Sequence, residues 1–298
     1  MANLRDIRRR IKSVKSTAQI TKAMQLVAAS KMKKAQDQAL AGRRYAEVMN
    51  KVLSGLKDKT EDETHPLLEV REGNKEIVIV ISTDKGLCGG LNTNLLRKVV
   101  EAGTEESAYV TVGNKGRQTL SRLKKDLIAD FPATDPAKFS EIKSVAKYAT
   151  EQFLEGKVDR IKVAFTNFVT TLTQEPYIAT LLPVTAEHMT GKREYEGMKE
   201  GDDLEDVYTN DSGLGYLFEP TPADVLDKIL PHYVNYQLYQ MLLEARASEH
   251  SARMVAMKGA TDNANQMVKD LTLEYNKVRQ AAITNELLEI TTAMKALE

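Results

Sequence analysis

Residues 3–42 read NLRDIRRRIKSVKSTAQITKAMQLVAASKMKKAQDQALAG, and their spacing decides the architecture. Ile7, Ile11, Val14, Ala18, Thr21, Gln25, Ala28, Met32, Ala35, Ala39 and Gly42 follow one another at alternating steps of four and three. That is the heptad seam of a helix lying against a second helix. Over much of its length the seam is small or polar, which lets two helix backbones approach closely. Ile20, Met24 and Val27 form a second apolar line beside it. Asn3 is a suitable N-cap, and Asp6 stands at the third helical position. No proline precedes Pro66, so a single helix is expected over about 3–57.

The other end of the chain mirrors this pattern. All eight prolines fall between Pro66 and Pro231. Thr221-Pro222-Ala223-Asp224 combines a cap, a proline at the first helical position and an acid at the third, a strong start for a helix over 222–297. Pro231 is expected to kink or locally break its first turns. Further on, Val268, Leu271, Tyr275, Val278 and Ala282 form one stripe. Ile283, Leu287, Ile290, Met294 and Leu297 form the next, shifted by one residue. A drifting stripe suits a helix that changes partners along its length. At ~1.5 Å per residue the two helices span roughly 80 and 100 Å. A domain the size of the remaining middle segment has a radius of gyration of about 15 Å. The helices are therefore expected to protrude as an antiparallel pair, and their exposed surface implies a partner.

Between them, about 75–220, the pattern is α/β. Glu76–Ser82 (EIVIVIS) reads as a strand buried on both faces, followed by a glycine loop and a helix from about Thr93. Ala108–Val112, Ile161–Phe168 and Tyr177–Val184 read as further strands, and Gly113–Leu123 begins another helix. Alternating strands and helices point to a parallel or mixed sheet with crossover connections. The stretch 187–211 holds nine acids against Lys192, Arg193 and Lys199, and is expected to be a mobile loop.

Net charge is zero, from 42 basic and 42 acidic residues, but residues 1–34 are strongly basic, with Asp6 their sole acid. A basic end suits an acidic protein surface, nucleic acid or anionic lipid, or simply a solvated helix face. Nucleic-acid binding is disfavoured, because no aromatic residues interleave with the basic ones and no base-reading module appears. The longest apolar run, Ile77–Ile81, is too short to span a bilayer. The Arg-rich N-terminus lacks the apolar stretch of a secretory signal. Asp6, and a seam running straight on, mark it as mature protein rather than a transit peptide.

The single cysteine, Cys88, excludes an intrachain disulfide and a cysteine-built metal site. With no histidine near it in sequence, it reads as a small buried residue rather than a nucleophile. His65, His188, His232 and His250 have no metal-ligand spacing. Asp84-Lys85-Gly86-Leu87-Cys88-Gly89-Gly90-Leu91-Asn92 occupies the strand-to-helix position where nucleotide folds bind phosphate. It matches neither G-x-G-x-x-G nor G-x-x-x-x-G-K-[ST], so a tight turn is the stronger reading and no cofactor is expected.

Several segments resemble the gamma subunit family of bacterial F-type ATP synthases. They are Ile7–Ile11 (IRRRI), Gln19–Met24 (QITKAM), Val27–Met32 (VAASKM), Ser82–Asn92 (STDKGLCGGLN), Ser248–Lys258 (SEHSARMVAMK), Ala260–Ala264 (ATDNA) and Tyr275–Ile290 (YNKVRQAAITNELLEI), in the same order along the chain. The resemblance implies an antiparallel coiled coil of residues 1–57 and 222–298, with a central Rossmann-like α/β foot domain at 75–220. It implies a non-catalytic rotor shaft that couples proton flow through a membrane c ring to conformational cycling of catalytic beta subunits. Implied partners are the alpha and beta subunits, the epsilon subunit and the c ring, at the cytoplasmic face of the bacterial inner membrane. Residue by residue, Met24, Arg253, Arg279, Gln280, Thr284 and Glu286 would meet the alpha–beta hexamer, Met24 near an acidic beta segment. Tyr216 and Glu219 would lie at the foot near the c ring and epsilon, in a motif that carries Phe218 where the family often has another aromatic residue. The two-cysteine regulatory insertion of chloroplast forms is absent. The alternatives from the residues alone are a nucleotide-dependent α/β enzyme using the 84–92 loop, or a basic coiled coil that binds nucleic acid.

Overall fold

The computed structural model describes residues 4–57, 65–104, 106–132, 134–185 and 219–297. The proposed cap Asn3, the acidic stretch 187–211 and Tyr216 lie outside them. Helix α1 runs Leu4–Lys57, and the last helix, α5, runs Pro222–Leu297. Between them come β1 (Glu76–Ile81), α2 (Leu91–Ala102), β2 (Ser107–Val112), α3 (Asn114–Arg122), β3 (Leu127–Phe131), α4 (Phe139–Leu154), β4 (Arg160–Phe168) and β5 (Gln174–Leu182). Two compact units divide the chain, Met1–Ala28 with Arg253–Glu298, and Ala29–Ala252. Both boundaries fall inside the long helices.

In the unit Ala29–Ala252 the sheet has the order β3-β2-β1-β4-β5. β1 pairs in parallel with β2 and β4, and β2 in parallel with β3. β5 closes one edge antiparallel to β4. The alternation of β1 sorts its side chains onto two faces. Val78 and Val80 meet Leu95, Leu96, Val99 and Leu120 of α2 and α3. Ile77, Ile79 and Ile81 face a larger cluster that includes Ile142, Ala149 and Phe153 of α4, Ala35, Ala39 and Leu53 of α1, and Leu230, Val234 and Leu238 of α5. Each fully buried Val, Leu, Ile or Phe side chain among these contributes roughly 1.5–3 kcal/mol of transfer free energy, and each alanine less. The early part of α5 therefore belongs to the core of this unit.

Three expectations change. β3 and α4 went unrecognised in the sequence. β3 is a short edge strand in which only alternate residues are half-buried, so its signal is weak. α4 was legible in Ile142, Val145, Ala146, Ala149 and Phe153, which occupy one helical face. Pro231 does not break α5, which runs as one helix from Pro222 to Leu297. Its missing N–H leaves one carbonyl without its helical donor, and burial of the flanking Leu230 and Val234 offsets that loss.

In the unit Met1–Ala28 with Arg253–Glu298, the two helices lie antiparallel. The Arg8 guanidinium donates to the Tyr275 hydroxyl at 2.8 Å and lies 5.6 Å from its ring centroid. Further along, the Thr21 and Thr261 hydroxyls are 2.8 Å apart. Ile7, Ala18 and Ala28 of the seam are buried, as are Met257, Ala264 and Leu271 of the facing helix. In the other unit the seam continues, with Gln240 Nε2 donating to the Ala39 carbonyl at 3.4 Å.

His65 precedes a short 3-10 turn, Pro66–Leu68, and its Nδ1 accepts from the Leu67 N–H at 3.0 Å. Burial lowers its pKa, with Asp227 opposing the shift. The folded state thus binds fewer protons than the unfolded one below the ordinary histidine pKa, so stability rises with pH there. The expected result is a small fall in melting temperature as pH drops from 7.5 to 5.5, reduced in His65→Asn, which keeps a capping side chain. An equal fall in both proteins would remove His65 as the cause.

Candidate functional site

The glycine loop after β1 is the natural place to look for chemistry, because ligands of open α/β sheets bind beyond the carboxyl ends of the strands. Here the loop is occupied with itself. Asn92 Nδ2 donates to the Thr83 hydroxyl at 2.8 Å and lies 3.3 Å from Cys88 Sγ. Thr83 in turn donates to the Lys85 carbonyl at 2.8 Å. Cys88 is buried. Asp84 Oδ1 accepts from the Asn114 N–H at 3.0 Å and so supplies a carboxylate at the first turn of α3, where an anionic ligand would otherwise be favoured. The crevice beside Ile81, Ser82, Thr83, Leu91 and Thr166 is closed by Ala245, Arg246 and Glu249 of α5. Arg246 NH1 donates to Glu249 at 2.5 Å, and Ser248 Oγ donates to the Thr166 carbonyl at 2.9 Å. No group of three or more potential metal-ligating side chains occurs among the described residues.

Titration of the purified chain with Mg-ATP is accordingly expected to give no micromolar binding heat. A saturable isotherm that is lost on substitution of the loop would show that α5 does not close this crevice.

The surface residues tell a different story. Arg279, Gln280, Thr284 and Glu286 are exposed on one short stretch of α5, with the Thr284 hydroxyl donating to the Gln280 carbonyl at 2.9 Å. Met24 and Arg253 are half-buried, and Glu219 is exposed. The four residues 279–286 form one cluster, whereas Arg253 lies roughly 39 Å away along the helix at ~1.5 Å per residue. The first apolar stripe of α5 packs on α1, with Leu271 buried and Tyr275, Val278 and Ala282 half-buried. The second stripe is exposed. Ile283, Leu287, Ile290 and Met294 are 48–65% accessible, and Leu288 joins them. The pairings of residues 8 with 275 and 21 with 261 place Leu4 opposite about residue 279 in an antiparallel register. On α1, Ile20 and Val27 are 58% and 56% exposed beside Met24. Leu26 at 60% belongs to this exposed set too, and the apolar line read from the sequence did not include it. Contiguous exposed apolar side chains of this kind mark surfaces that meet other molecules.

An exposed apolar and basic helix surface, with a sheet crevice lined by the unit's own helix, marks a protein that binds partners. A family model described as ATP synthase matches residues 3–297. The ATP synthase gamma chain of Akkermansia muciniphila is 48% identical over 298 residues, covering 100% of each chain. That of Opitutus terrae is 50% identical over 297 residues, covering 99% of each. A chain of the Euglena gracilis mitochondrial ATP synthase, in an assembly of OSCP, F1 and c ring, has a TM-score of 0.67 at 22% identity, covering 99% of this chain and 94% of that one. The last likeness concerns the fold alone. The chain belongs to the ATP synthase gamma-chain family.

Proposed function

We propose that this chain is the central rotor shaft of an F-type ATP synthase, a non-catalytic subunit that couples proton flow through the c ring to the conformational cycle of the beta subunits. The observation that carries this reading is the exposed apolar row from Ile283 to Met294 on α5. Such a row needs a surrounding surface, and the bore of an alpha–beta hexamer supplies one. A bearing requires contact without fixed, angle-specific bonds, and aliphatic side chains provide that because hydrophobic contact is non-directional. Arg279, Gln280, Thr284 and Glu286 would add polar contacts to the beta subunits near the same stretch. Met24 and Arg253 would meet the hexamer at other levels. Tyr216 and Glu219 would belong to the foot, close to the c ring and epsilon. Among the described residues no helix is long and apolar enough to cross a membrane. The subunit would be held peripherally through the c ring, at the cytoplasmic face of the bacterial inner membrane.

The experiment is reconstitution of stripped inverted vesicles with alpha, beta, delta and epsilon subunits, with and without this chain. ATP-driven proton uptake is expected only when the chain is present. Uptake of equal size without it would overturn the reading.

A further inference from the structure

Within the unit Ala29–Ala252, the apolar core holds the sheet to both long helices, yet apolar contact resists separation far better than it resists sliding or twisting. One polar junction spans all three elements. Asp135, in the segment between β3 and α4, receives the Lys31 ammonium of α1 on Oδ2 at 2.7 Å. Its other oxygen, Oδ1, lies 3.5 Å from His250 Nε2 of α5. The neighbouring Thr134 carbonyl accepts from Arg246 NH2, also of α5, at 3.4 Å. Arg246 and His250 are only 5% and 3% exposed. Burying a guanidinium such as that of Arg246 costs several kcal/mol unless it is well paired. Burial pushes the Asp135 pKa up, but the Lys31 hydrogen bond and the charges of His250, Lys31 and Arg246 outweigh it and hold the carboxyl below its ordinary value. Asp135 is thus a carboxylate at neutral pH, with Oδ2 hydrogen-bonded to α1 and Oδ1 facing α5.

We propose that Asp135 is a positioning residue for torque transfer, a latch that locks both helices of the shaft to the sheet domain so that rotation of one is rotation of the other. This rests on the shaft reading above. Charge-assisted hydrogen bonds are short and oriented, so they oppose small rotations that aliphatic packing tolerates. A carboxylate has two acceptor oxygens, so one can take the Lys31 ammonium while the other faces the His250 ring on a different helix. The asparagine amide keeps its shape but offers one acceptor and no charge. A weakened latch adds compliance between sheet and helices. Part of each rotary step is then taken up inside the subunit, while the catalytic sites continue to hydrolyse ATP.

The test uses the assembled complex in inverted vesicles, with proton uptake and phosphate release measured together. Asp135→Asn is expected to retain most hydrolysis while protons moved per ATP fall by about twofold or more, with Asp135→Glu recovering part of the loss. Lys31→Met, which alters only the half-exposed arm, is expected to give a smaller fall in the same ratio. Combined with Asp135→Asn it should add nothing further, because both remove the same interaction. A wild-type ratio in Lys31→Met, or in an assembled Asp135→Asn complex, overturns the latch while leaving the shaft reading intact. A wild-type chain that supports no uptake at all overturns the shaft reading, and the latch with it.

Discussion

Gly113→Ala is expected to destabilise the unit Ala29–Ala252 more than any conservative change on its surface. Gly113 follows β2 and stands immediately before α3, with φ 108 and ψ 146. An L side chain rarely adopts that conformation, and holding one there costs about 1–3 kcal/mol. Space makes matters worse. A Cβ at Gly113 would sit 2.4 Å from the Ser82 carbonyl oxygen, which belongs to backbone and cannot swing aside. Ser82 is itself fixed, because its N–H donates to the Val112 carbonyl at 2.9 Å and its hydroxyl accepts from the Gly116 N–H at 2.8 Å. Strain and clash together are expected to cost about 3 kcal/mol or more, which for a domain of this size lowers the melting temperature by roughly 6–12 °C. Gly86→Ala is the control, since nothing lies within 4 Å of a Cβ there. Circular dichroism melts of both variants decide the matter. A Gly113→Ala melt within a degree or two of Gly86→Ala would mean that the β2–α3 turn relaxes freely.

Met24→Lys is expected to impair coupling while leaving assembly and ATP hydrolysis largely in place. Met24 is half-buried on α1, with Ile20 and Val27 exposed on either side of it in sequence. That apolar line runs along a helix already crowded with Lys and Arg. On the shaft reading it slides past an acidic segment of each beta subunit in turn. A methionine makes weak, adaptable contacts of similar strength at every angle. A lysine would place a cation on a long stem there, and a partly desolvated pair with a carboxylate would add roughly 1–3 kcal/mol at one angle. A favoured stop dissipates energy that would otherwise move protons. Proton uptake per ATP in inverted vesicles should therefore fall, with high salt relieving the defect in part if the pair is solvent-accessible. An unchanged ratio would remove Met24 from the rotor–stator contact.

Both predictions draw on features of different legibility. The heptad seam was readable from residue 7 to residue 42 because helix periodicity is local and the chain there contains no proline. Its residues are buried or half-buried throughout, while Ile20 and Val27 beside it are exposed. β1 was readable because five consecutive β-branched residues bury on both faces of a parallel sheet. β3 was not, because an edge strand of five residues with only alternate positions half-buried resembles a loop. Pro231 does not break its helix, because proline's cost is a local expectation whereas the outcome depends on how strongly the surrounding core holds the helix. Met24, Arg253, Arg279, Gln280, Thr284 and Glu286 came from family resemblance; the last four are exposed, and no local physical signal distinguishes an exposed contact residue from a solvated one.

The sequence by itself determined the two long helices, their antiparallel pairing, the α/β character of the middle and the lack of a complete phosphate-binding motif. The helices, the α/β pattern and the motif rest on residues near one another in the chain or on a long repeating pattern, and the antiparallel pairing on the helices standing at opposite ends of the chain. Only the tertiary structure decided what closes the ligand crevice of the sheet, where Arg246 and Glu249 stand more than 150 residues from Ser82 and Thr83. It likewise decided that Lys31, Asp135 and His250 meet, from three elements separated by about a hundred residues each. Side-chain charge carries no address in the sequence. Its partner is chosen by the packing of the apolar core, which brings distant backbones within reach and leaves each buried ion only the neighbours that the fold supplies.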